Sequence, residues 1–184
     1  MSLLARLRTD TRAAHLALED AVGFRPQCIT SSRYEDVLAA FLGFHEPLEK
    51  ALEASATAHR LPWVLSPGAA QLTDDLRGLG WTEERVAAVP RSGPPDVEAL
   101  PALIGSLYVV EGARLGGRLI TRWVTDALGP APVSFFAGDG TARRRFGEFG
   151  AMAAAVLPAG DAAAAVEAAN AHFRQLRHWL TTRR

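Results

Sequence analysis

The chain holds a single cysteine, Cys28, so no internal disulfide can brace it, and a reducing, cytoplasmic compartment is expected. It has no charge excess, with Lys+Arg and Asp+Glu at 20 each. Duplex binders usually carry a basic surplus, so nucleic acid is not an expected partner. No apolar run approaches the roughly 20 residues that span a bilayer, so no membrane association is expected. The first dozen residues carry Arg6, Arg8 and Arg12 where a signal peptide has its apolar centre. The Gly-x-Gly-x-x-Gly dinucleotide fingerprint is missing. None of the five histidines has a glutamate three residues before it, which excludes the paired Glu-x-x-His motifs of di-iron bundles. Alternating strand patterns and internal repeats are absent too.

What is present is apolar and helical. Hydrophobic residues make up 48% of 184, enough to bury the core of one domain over residues 1–184. The spacing predicts an all-α, multi-helical bundle. The first helix spans about Ser2 to Val22, with Leu4, Leu7, Thr11, His15, Leu18 and Val22 on one face, and Gly23 and Pro26 end it. A second begins at Ser32 with Glu35 completing a capping box. It carries an inward stripe of Tyr34, Val37, Leu38, Phe41, His45, Leu48 and Leu52, and Pro47 should kink it without ending it. Ser66-Pro67 reads as the cap of a short helix with Leu72, Leu76 and Leu79, and Thr82 as the cap of another. A long apolar helix runs from Asp96 to Leu128. Phe135 to Gly140 forms a loop, Thr141 to Leu157 a helix, and Asp161 caps a last helix that buries Val166, Phe173, Leu176 and Leu180. His45 reads as a core histidine, His59 as a loop residue, and Trp63 and Trp81 as anchors for the short segments.

Two elements carry candidate chemistry. His15 has Glu19 four residues on, beside it on the helix surface. A metal-binding imidazole usually gives its other N–H to an acceptor, and Glu19 is placed for that. Arg8, two turns earlier, suits an acidic group at the edge of a flat ligand. A core histidine with a neighbouring salt bridge would have the same spacing. The second element is Tyr108-Val109-Val110-Glu111-Gly112-Ala113-Arg114-Leu115-Gly116-Gly117. The long helix contains Gly105, Gly112, Gly116 and Gly117, each costing roughly 1 kcal/mol against alanine, so each requires a packing reason or a ligand reason. Gly112 and Gly116 share a face one turn apart.

Together these elements resemble the haem oxygenase family, in particular the bacterial branch found beside bacteriophytochromes. The basic residue, histidine and i+4 glutamate, followed about a hundred residues later by Tyr-Val-x-Glu-Gly-x-x-x-Gly-Gly, carry the resemblance. The Phe135-Phe136-Ala137-Gly138 loop and the final helix with Phe173 and Trp179 extend it over nearly the whole chain. It implies haem as both cofactor and substrate, with His15 as iron ligand and Glu19 as its partner. Gly112 and Gly116 would form the catalytic distal face, beside Tyr108, on a helix that Gly117 lets kink. Arg8 would meet one haem propionate, and Arg174 or Arg177 the other. It further implies O2 and an external electron donor such as a ferredoxin or flavodoxin-like protein, docking on a basic surface to which Arg143-Arg144-Arg145 contribute. The products would be biliverdin, carbon monoxide and ferrous iron. The chain departs from the family at Ala113, where many members place an aspartate and others a serine; alanine offers no side-chain hydrogen bond. A haem carrier or sensor of the same fold, without turnover, is the alternative, and a cofactor-free helical interaction module is a further one.

Overall fold

The computed structural model describes residues 2–182. The expected first helix is two. α1 (Leu3–Asp10) and α2 (Arg12–Val22) meet at Thr11, whose hydroxyl donates to the Leu7 carbonyl at 2.7 Å. Such back-bonding competes with the helical ladder and bends the axis. α2 ends at Gly23, in the left-handed region at φ 57°, as the C-cap of a helix requires.

α3 (Ser31–Ala58) is longer than its sequence pattern suggests and continues through Pro47. The expected Ser32–Glu35 box is not formed. Thr30 caps the helix, accepting from the Arg33 amide at 3.2 Å. Glu35 instead accepts from the Trp81 indole at 2.8 Å and from Arg85 at 3.2 Å. Those two bonds hold α5 (Glu83–Ala87), which Thr82 caps as expected. Ser66 does not cap α4 (Gly68–Gly78) with its side chain; that amide end is met from another helix, by the Glu49 carboxylate at 3.0 and 3.2 Å from the Ala69 nitrogen. His59 lies at the end of α3, with Nε2 2.7 Å from the Glu98 carbonyl oxygen.

α6 (Leu100–Leu128) starts four residues later than the pattern predicts, with Pro101 in its first turn where the missing N–H costs nothing. It passes through all four glycines as one unbroken helix of 29 residues, about 43 Å long at the α-helical rise. Part of the expected 135–140 loop is a short helix, α7 (Ser134–Ala137). The buried Asp75 carboxylate on α4 organises it, accepting from the Ser134 and Phe135 amides at 2.8 and 2.9 Å. α8 (Ala142–Val156) and α9 (Ala162–Thr181) close the bundle; Asp161 occupies the cap position of α9 without a side-chain bond.

Two apolar cores result. One gathers Leu7, Phe44, Leu48, Leu103, Leu107, Phe149 and Phe173 from α1, α3, α6, α8 and α9. The other gathers Phe24, Tyr34, Leu38, Leu76, Val124 and Phe136 around α3, α4, α7 and the second half of α6. α3 and α6 run through both, so they fix one core against the other. No strand occurs among the described residues, and no single helix there is long and apolar enough to cross a membrane.

Candidate functional site

α2 is an unusual helix, because none of its residues is buried. It rests on α9, with the His15 ring edge-on to Phe173 at 5.6 Å between centroids. The imidazole is not a core group: its side chain is 49% exposed. Glu19 Oε1 lies 3.7 Å from His15 Nε2, too far for a hydrogen bond and an ion pair only when the ring is protonated. Leu16, beside His15, is also exposed. Arg8 on α1 is exposed and has no ion pair among the described residues.

The four glycines of α6 divide into two kinds. At Gly105 a methyl group would collide with the Ala165 carbonyl and come within 2.9 Å of Ala168 Cβ, so its reason is the seam between α6 and α9. At Gly117 a methyl would collide with the Phe136 carbonyl, so its reason is the seat of α7. A methyl at Gly112 would meet only the Phe146 ring, at an ordinary 3.6 Å, and one at Gly116 would meet nothing within 4 Å. No packing in the described residues demands glycine at either position. Leu115 and Leu119 lie on the same side of the helix as these two, at i, i+3, i+4 and i+7 from Gly112, and both are exposed. Among the described residues, three of the four exposed large hydrophobics therefore sit on the two helices that hold His15 and the glycine pair; the fourth, Val64, is in the loop after α3.

Both helices share supports. α2 and α6 pack against α9, and the 310 turn Pro26–Cys28 that follows α2 packs against α6. Two grooves lie elsewhere, one between α3, α5 and Leu180, the other beside Trp63 and Leu65.

The remaining candidates scatter. Tyr108 is buried, its ring 5.9 Å from Phe146. Arg174 is paired with Glu167 at 2.6 Å. Arg177, also exposed, is unpaired among the described residues and follows Phe173 by one turn, on the flank where His15 rests. Arg114 on α6 is half-buried, donating to Gln71 on α4 at 3.3 Å, and burial lowers its pKa. The three consecutive arginines do not form one surface. Arg143 is exposed, Arg144 pairs with Glu148 at 2.7 Å, and Arg145 turns inward to Glu111 at 2.8 Å. Glu111 is 1% exposed and also accepts from the Trp63 indole at 3.0 Å. Sequence reasoning assigned it no role, although a single carboxylate amid the apolar residues 100–113 was the signal.

A family model described as heme oxygenase matches residues 1–182. Among solved structures, the heme oxygenase from Leptospira interrogans superimposes with a TM-score of 0.79 at 18% identity, covering 99% of this chain and 100% of that one. At that identity the likeness concerns the fold. The sequence matches no curated protein.

Proposed function

This chain belongs to the haem oxygenase family, and we propose that haem binds between α2 and α6, held by His15, and is opened there to biliverdin. One observation carries the placement. Gly112 and Gly116 give up helix stability with no neighbour that requires it, on a face where Leu115 and Leu119 are exposed. A flat apolar ring needs such a surface: backbone without side chains in the centre and aliphatic groups at the margin. When bound, haem supplies the oxygen chemistry and is also the carbon skeleton that is cut, yielding carbon monoxide and ferrous iron at the expense of O2 and external electrons.

The residues of the chain would do the rest. His15 holds iron through a neutral imidazole lone pair. Phe173 braces the ring edge, and Glu19 accepts the imidazole proton that fixes its tautomer once the pair closes from 3.7 Å. Gly112 and Gly116 let the α6 backbone lie against the macrocycle, while Leu16, Leu115 and Leu119 exclude water from its faces. Gly117 acts from the buried side by seating α7, and Tyr108 supports α6 through Phe146. Arg8 and Arg177 carry charges available to propionates, whereas Arg174 would first leave Glu167. Ala113 holds no proton, so ordered water on nearby backbone carbonyls takes that task. Electrons come from a ferredoxin or flavodoxin-like donor in the cytoplasm, and delivery of biliverdin to a bacteriophytochrome is the use that the sequence resemblance suggests.

Hemin titration tests the placement. The parent is expected to develop a sharp Soret band at one equivalent, and Gly116→Leu, folded by circular dichroism, to lose it. Equal affinity in both proteins would move the ligand away from this face.

A further inference from the structure

Behind the glycine pair, one carboxylate is held by groups from two other parts of the chain. Glu111 directly precedes Gly112. It accepts from Trp63 Nε1 at 3.0 Å, from Arg145 Nη2 at 2.8 Å and from Arg145 Nε at 3.4 Å. Arg145 Nη2 also reaches the Val64 carbonyl at 2.9 Å, and its guanidinium lies over the Trp63 indole, 4.9 Å from the ring centroid. Phe146, the next residue, is the ring that faces Gly112 and contacts Tyr108. A buried carboxylate is costly unless it is paired and hydrogen-bonded, and this one is both. Its partners tie α8 and the 61–67 loop to a single turn of α6.

We propose that Glu111 and Arg145 are positioning residues. Their ion pair fixes the register of α8 on α6, and so the seat of Phe146 beneath Gly112 and the path of the backbone from Gly112 to Gly116. What that path serves rests on the haem placement above; the positioning itself does not.

The test therefore reads the protein with and without hemin. In the ligand-free protein, Arg145→Met is expected to shift the Trp63 indole N–H resonance together with the Gly112 and Gly116 amide resonances. Arg145→Lys, which keeps the charge, is expected to restore most of both. Glu111→Gln preserves shape and gives the same readout if the methionine variant does not fold. In the hemin-loaded, reduced protein under carbon monoxide, the parent is expected to show one C–O stretching band, the methionine variant a shifted or split band, and the lysine variant the parent band. Glycine amides that stay in place while the indole resonance moves would overturn the positioning role. A parent that binds no hemin would overturn the haem placement alone, because the amide shifts still decide the positioning.

Discussion

Gly116 and Gly117 are adjacent in the chain and opposite in environment. A methyl on Gly117 strikes the Phe136 carbonyl, and one on Gly116 points into open space. Alanine should therefore separate packing from ligand binding. Gly116→Ala is expected to raise the stability of the ligand-free protein by about 1 kcal/mol, through helix propensity alone, while weakening hemin binding. Gly117→Ala is expected to cost about 1–3 kcal/mol, because α7 must shift to relieve the overlap. Denaturant unfolding of both variants, with hemin titration of the first, checks the pair. The glycine cluster was legible in the sequence, but its division into two kinds was not, since what a Cβ would meet depends on residues 19 to 64 positions away. His15 reads as inward-facing from its helical stripe, and a core histidine fits that spacing equally well. The structure places its side chain half in solvent, because α2 packs mainly along one side, on α9, and buries none of its residues.

At the scale of elements, helix existence was legible from periodicity, and helix starts were not wherever the cap comes from a distant carboxylate. Glu49 on α3 serves the Ala69 amide at the start of α4, and Asp75 on α4 serves the first two amides of α7. Neither partner is near its target in sequence, so local capping patterns point to Ser66 or to a plain loop. The boundary read as Ser32–Glu35 shifts for a different reason: Thr30 caps α3 locally, and Glu35 is recruited by Trp81. α7 is further anchored by the Tyr34 hydroxyl, which donates to the Pro132 carbonyl at 2.6 Å. Burial, and then the Asp75 charge, push the Tyr34 phenol up from its usual pKa, so it remains a donor. Asp75→Ala leaves two amides at the start of α7 without their charged acceptor. A loss of about 2 kcal/mol is expected by urea unfolding, with faster hydrogen exchange at Ser134 and Phe135.

At the scale of the whole molecule, α3 and α6 bind two cores into one body, and imidazoles lie within it. His172 is buried against Phe44, and its Nδ1 has no hydrogen-bond partner among the described residues. Burial, and secondarily His45, push its pKa down to about 3. An unfolded histidine titrates near 6.5, so between about pH 6.5 and 3 the unfolded chain binds one more proton than the folded one. This contribution is full above pH 6.5 and falls by about 1.4 kcal/mol per pH unit on acidification. His172→Leu is expected to flatten that part of the stability profile, and thermal melts of both proteins across this range read the difference.

The architecture of α2 and α6 on a common support matters only if haem is bound and cut there. The most direct measurement is the absorption spectrum of the hemin-loaded parent and of hemin-loaded His15→Ala, recorded in air before and after ascorbate. Ligation by His15 predicts that the parent loses its Soret band as biliverdin absorption rises, while His15→Ala shows an altered Soret band and little ring opening. A variant with the parent spectrum that degrades haem at the parent rate would contradict it.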